Sequence, residues 1–293
     1  MAETVPDRNE TEPTQGLLAN DLLVKRIGEA IAVGFLLLIT ALLVYILGTE
    51  IDTDLLVTIF PQFVEAFLLV LQIVIISSIL SVSLGVLVGL ARISSSRLTS
   101  GIATGYVEFF RGTPLLFQLF VIFIGVPSLW GTGSFPIENW NIPAAIIGLT
   151  LNHGAYAGEA IRGGISSVSD GQLEAARSVG MSRVQAMREV VLPQAWRNAL
   201  PALGNDQIIL VKDTSLLTVL AVSEIISVFR NVNNTTFDSW TPLLWVCLFY
   251  LAITMSLSAL VAYLEARADW SDESDSRIGD ALGVLNDGMG MRR

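Results

Sequence analysis

The stretch SDGQLEAARSVGMSRVQAMREVVLP, residues 169–193, is polar and basic, yet apolar segments of membrane-spanning length lie on both sides of it. Two helix starts can be read in it. Ser169 is followed three residues later by Gln172 and Ser182 by Gln185, each pair with the spacing of a capping box. Gly180 lies between them, where a left-handed glycine stops one helix before the next begins, and Pro193 marks the end of the second. The pattern predicts a helix, a sharp glycine turn and a second helix. On the first helix Leu173, Ala176 and Val179 or Gly180 share a side, and Glu174 and Arg177 have i, i+3 spacing. Two readings fit: an amphipathic connector on lipid headgroups, its arginines meeting anionic lipid, or a helix that docks on a soluble partner.

The remaining sequence supplies the context. Of 293 residues, 52% are hydrophobic and 15% charged, against roughly 25% charged in a soluble domain. The solvent implied is a bilayer. One cysteine, Cys247, allows no disulfide within the chain, and one histidine, His153, leaves no Cys/His cluster for a metal. The net charge of −10 is concentrated in the tails, MAETVPDRNETEPTQ and DWSDESDSRIGD, while Lys25 and Lys212 are the only lysines. Residues 1–29 and 268–293 thus read as acidic, solvated tails. An acid-rich, lysine-poor exterior also suits high salt, where self-repulsion is screened.

Six spans are predicted, at residues 30–47, 63–91, 114–130, 142–161, 198–224 and 242–263. The first follows a long acidic tail and has no small-residue cleavage site, so it reads as a retained helix. The second carries Gly85 and Gly89 at the spacing that lets two helices approach closely. The fifth includes Asn205, Asp206, Lys212 and Asp213 in an otherwise apolar run. With the N-terminus inside, the inner loops collect Arg92, Arg97, Arg111, Arg162, Arg177, Arg183, Arg188 and Arg197, and the outer loops hold only Arg230. The stretch at 169–193 is then cytoplasmic, as are both termini.

EAARSVGMSRVQAMREVVLP resembles the signature of membrane subunits of bacterial and archaeal ABC importers, with Glu174, Ala175, Ala176, Gly180, Leu192 and Pro193 at the matching positions and Val190 where isoleucine is common. EFFRGTPLLFQLF (108–120), GAYAGEAIRGG (154–164), GQLEAA and KDTSLLTVLAVSE (212–224) are similar to the subfamily that imports the polar amino acids His, Gln, Glu, Arg and Lys. The resemblance implies an all-α integral membrane protein: a type I ABC importer transmembrane domain, with a five-helix core at 63–267 and one extra N-terminal helix at 30–48. It implies that the hairpin at 169–193 couples to a separate ATPase. It further implies two ATPase subunits, an extracellular substrate-binding protein and a homodimer or heterodimer with a similar subunit in the plasma membrane. No cofactor and no nucleic acid is expected, because ATP is bound by the partner.

Ionisable groups inside a span mark a pathway or a pair. Asn205 and Lys212, and likewise Asp206 and Asp213, are seven residues apart and share helix faces. Lys212 lies about 16 Å along the axis from Pro201, near mid-membrane. Such groups suit the carboxylate and ammonium of an amino acid, and they equally suit structural pairs with neighbouring helices. Asn152, His153, Tyr156 and Glu159 are further candidates for the substrate path. Glu159 and Arg162 have the spacing either to join the hairpin to the pore or to pair at a helix end. The chain has no G-x-x-x-x-G-K-[ST] loop, no G-x-S-x-G and no H-E-x-x-H. The competing class, a stand-alone secondary transporter or channel, would be favoured by inverted repeats, and the two halves share no similarity. Reporters fused to the two ends should both be inaccessible from outside intact cells; labelling of either end from outside would remove the six-span topology.

Overall fold

Inside hydrocarbon the backbone has no water to bond, so each segment must satisfy its own N–H and C=O groups, and the described residues form helices only. The computed structural model describes residues 12–131 and 133–289, with side chains over 24–131 and 133–267. In chain order the helices are α1 (Glu12–Thr49), α2 (Thr53–Arg92), α3 (Arg97–Gly112), α4 (Leu115–Phe120), α5 (Asn141–Ser166), α6 (Asp170–Ser178), α7 (Arg183–Ala186), α8 (Leu192–Asp213), α9 (Ile225–Thr236) and α10 (Trp240–Met289). Short π or 3-10 turns follow α4, α7 and α8.

The chain divides into two units, Met1–Val57 and Thr58–Arg293. In the first, α1 begins at Glu12, upstream of the span expected at 30, with Pro13 in its first turn, where a missing N–H costs nothing. Asp52 opens α2 by accepting from the backbone N–H groups of Asp54 and Leu55 at 2.9 and 3.0 Å. At the other end α10 runs from Trp240 to Met289. Residues 1–11 and 290–293, and the side chains of most of both acidic tails, lie outside the described residues.

In the second unit α2 and α10 are each long and apolar enough to cross a bilayer, as α1 is in the first. The span expected at 114–130 is instead one arm of a broken crossing: α3 and the Leu115–Leu129 segment qualify together, bent by 105°. Pro114 is the cause. It has no N–H to continue the ladder, and Thr113 before it takes the extended conformation favoured ahead of a proline, φ −117° and ψ 146°. The carbonyls left over find side chains. Thr113 Oγ1 donates to Phe109 O at 2.8 Å, while Gln118 Nε2 and Asn152 Nδ2 donate to Phe110 O at 2.9 and 3.2 Å. The span expected at 198–224 likewise ends early. Helix α8 stops at Asp213, a 3-10 segment follows over Thr214–Leu220, and Ala221 turns the chain at φ 53°.

α5 and α8 have spanning length, 26 and 22 residues, but carry polar side chains through their middles. Where Asn152 and His153 of α5 and Asp206 of α8 are buried, protein covers them. The α2–α5 contact places Gly85 and Gly89 against Ala157, Gly158 and Ile161. Gly164 of α5 lies against Ala195 and Ala199 of α8, and Gly204 of α8 against Val261 of α10. At each crossing a small residue lets backbones approach closely, the main source of association where no hydrophobic drive exists between helices. Gly164→Val would push a β-branched side chain into the Ala195 carbonyl and should cost about 1–3 kcal/mol by overpacking. The check is thermal unfolding of the detergent-purified protein, where the midpoint should fall well below the parent's.

Candidate functional site

The hairpin at 169–193 is built largely as its sequence suggests. α6 ends in a Schellman turn, with Met181 N–H bonded to Ala176 O at 3.2 Å and Gly180 N–H to Arg177 O at 3.1 Å. Gly180 sits at φ 92°, a conformation that L side chains rarely adopt. Ser182 and Gln185 form the complete capping box: Ser182 N–H donates to Gln185 Oε1 at 3.0 Å and Gln185 N–H to Ser182 Oγ at 3.3 Å. The box expected at Ser169 and Gln172 does not form. There the backbone alone closes the turn, Gln172 N–H to Ser169 O at 3.0 Å. Nor do Glu174 and Arg177 pair, because both side chains extend into solvent.

Pro193 does not end the second helix. A π turn over Met187–Val191 precedes it, and the chain continues without interruption into α8. The wider turn accommodates a residue with no N–H, and Gln194 Nε2 takes up the Val190 carbonyl at 3.0 Å. Leu173 and Met187 pack on a buried cluster of Ile161, Ile165, Val191 and Ala195. Ala176 is buried as well, whereas Glu174, Ala175, Val179 and Val184 remain exposed, the two valines at 76%. The hairpin is therefore anchored by one side and presents a mixed apolar and charged face on the other.

Above the hairpin, the α5–α8 crossing encloses polar space. Two cavities of about 490 and 540 Å³ have mostly aliphatic walls. A third, of about 430 Å³, is lined by Arg111, Thr113, Asn152, His153, Tyr156, Asp206 and Asp213, among others. A smaller one of about 240 Å³ shares Arg111, Tyr156 and Asp206 with it and reaches Glu159 and Asn205. Together they form a charged path walled by the end of α3, by α5 and by α8.

At the centre is His153, 1% exposed. Its Nδ1 lies 2.9 Å from Asp206 Oδ1, and its Nε2 lies 3.3 Å from Asp213 Oδ2. Arg111 lies with its guanidinium 5.3 Å from the centroid of the Tyr156 ring, a cation–π contact. Towards the hairpin, Glu159 accepts from Arg92 and from Arg162, the latter through Nη2 at 2.6 Å and Nε at 3.1 Å.

The residues singled out in the sequence separate accordingly. Tyr156, Asp206 and Asp213 converge on the cavity with His153. Asn152 lines it too, but its amide is engaged with Phe110 O and with Gln118 Oε1 at 2.9 Å, holding the break before α4. Asn205 reaches only the smaller space. Lys212 is exposed on another side of α8 and lines neither. Arg111 escaped as a site residue because in sequence it reads as one more inner-loop arginine. The signal was its place just before Gly112–Thr113–Pro114, where a broken helix points a side chain inward.

Residues 81–270 match the family model described as binding-protein-dependent transport system inner membrane component. The chain is similar to the nopaline transport system permease protein NocM of Agrobacterium fabrum, 39% identical over 220 residues that cover 73% of this chain and 90% of that one. The probable glutamine ABC transporter permease protein GlnM of Bacillus subtilis is 37% identical over 212 residues, 72% of this chain and 95% of its own. Among solved structures, a crystal structure of an amino acid ABC transporter with histidines superposes with a TM-score of 0.68 at 32% identity, covering 74% of this chain and 99% of that one.

Glu159→Gln would leave Arg92 and Arg162 side by side in a partly buried site without their shared anion. The loss should be about 1–3 kcal/mol, read as a lowered unfolding midpoint in detergent. Arg162→Gln, which leaves the Arg92–Glu159 pair in place, should cost less.

Proposed function

Because the chain belongs to the binding-protein-dependent transport system inner membrane components, we propose that the charged cavity between α5 and α8 is the path of a polar amino acid and that the hairpin at 169–193 transmits ATP hydrolysis to it. The chain is the membrane permease subunit of an ATP-driven importer, with the all-α type I importer fold. The single observation that carries the reading is continuity. From Arg183 through the π turn to Asp213 the chain is helical without a break, so the second arm of the hairpin and the aspartates of the cavity wall lie on one continuous helix.

The chemistry of the cavity suits an amino acid. Arg111 supplies a planar donor for a carboxylate, and Asp213, half-buried, supplies an acceptor for an ammonium. NocM and GlnM bear names that refer to amino acid-type solutes, and those names support the same substrate class here. The coupling contact is made by Glu174 and Ala175 beside the Gly180 turn, with the buried Ala176 seating the helix from within and Leu192 and Pro193 setting the junction to α8. The working unit contains two ATPase subunits that bind the ATP, one external binding protein, and this chain paired with itself or with a similar subunit. Both termini face the cytoplasm, in keeping with the arginines of the inner loops.

A Cβ at Gly180 meets no atom within 4 Å, so a substitution there acts through the backbone alone. Gly180→Val should strain the turn by about 1–2 kcal/mol and shift α7, while leaving the membrane helices untouched. Complexes reconstituted with the ATPase and binding protein should assemble and lose most of their substrate-stimulated ATP hydrolysis, with Glu174→Lys acting in the same direction. Gly180→Asn, which tolerates positive φ, should retain more of it. Parent-level stimulation in an assembled Gly180→Val complex would return the hairpin to the role of a headgroup connector.

A further inference from the structure

The chain's only histidine is placed where it alters the charge of the cavity. His153 comes from α5, while Asp206 and Asp213 come from one face of α8, and both ring nitrogens are turned to carboxylate oxygens, at 2.9 and 3.3 Å. A carboxylate only accepts, so a bare nitrogen lone pair would repel it. Both contacts are attractive only when each nitrogen carries a hydrogen, which is the imidazolium form. In this form two carboxylates, Asp206 and Asp213, are matched by two cations, His153 and Arg111. The cluster nearer the hairpin is matched as well, with Glu159 and the nearby Glu108 against Arg92 and Arg162. Lys212 points elsewhere and does not enter the count.

We propose that His153 is a specificity-determining residue: by neutralising the aspartate pair of α8 it makes the cavity accept amino acids whose side chains are uncharged and turn away those with cationic side chains. The inference rests on the reading of the cavity as the amino acid site. A zwitterion brings one charge of each sign to a balanced wall, its carboxylate meeting Arg111 and its ammonium meeting Asp213. An extra guanidinium or ammonium on the side chain would stay uncompensated in a low-dielectric space, because the carboxylate that could receive it is already bonded to His153. Without the imidazole the same walls would hold two carboxylates against one guanidinium, and the preference would pass to cationic amino acids.

The test measures binding of tritiated glutamine, arginine and glutamate to the purified permease–ATPase complex in nanodiscs, without the binding protein, so that only the membrane site selects. The parent should prefer glutamine over arginine by at least about tenfold. His153→Gln should narrow or reverse that ratio by a similar factor. Asp213→Asn, which leaves an excess of positive charge, should move the preference towards glutamate. The double variant His153→Gln/Asp213→Asn restores the balance and should return the preference to glutamine, a rescue that a purely structural role for His153 would not produce. If the folded single variants keep the parent's ratio, or the double variant fails to restore it, the specificity role is overturned while the cavity stays the binding site. If the parent complex binds none of the three amino acids, the site reading fails and the inference falls with it.

Discussion

Charge in hydrocarbon has to be enclosed by protein, and the enclosure here depends on how closely α5 and α8 approach. A Cβ at Gly164 would collide with the Ala195 carbonyl and lie 2.9 Å from the Ala199 Cβ, so the backbones meet at a separation that only a hydrogen side chain allows. That contact brings His153 of α5 within reach of Asp206 and Asp213 of α8. The same small residues that replace hydrophobic drive as the source of helix association thus also define the polar site. Further along α5, Gly85, Gly89, Gly154 and Gly158 do the equivalent for α2, so that two helices cover α5 and leave it free to be polar.

Two interruptions shape what surrounds this crossing. At Pro114 the helix breaks and the freed carbonyls are met by Gln118, Asn152 and Thr113, all at least partly buried. The break turns Arg111 towards the cavity and gives Asn152 a structural task. At Pro193 the outcome is opposite. The π turn before it absorbs the missing N–H, and the helix continues. One proline thus stands at the edge of the charged cavity, and the other leaves the second arm of the hairpin continuous with α8. The difference lies in the neighbours: Pro114 has an extended residue before it, whereas the residues before Pro193 remain helical throughout.

The hairpin follows a similar economy of parts. Its buried side holds Ala176, and Leu173 and Met187 there rest on residues of α5 and α8. Its exposed side retains Val179 and Val184 beside Glu174 and arginines, a mixture that suits a protein groove better than a bilayer interior.

Much of this was determined by the sequence itself. Apolar runs of spanning length, the glycine between two polar helices, the Ser182–Gln185 box and the one-sided arginines are local or compositional features, and local physics reads them directly. The helical class, the hairpin and the resemblance to importer permeases follow from them. Only the tertiary structure decided which polar residues meet. Lys212 and Asp213 are adjacent in sequence, yet one faces outward and the other lines the cavity, because a helix rotates successive side chains by about 100° and its azimuth is set by the partners it packs against. His153 could not be paired with two aspartates more than fifty residues away until Gly164, Ala195 and Ala199 fixed the crossing of their helices.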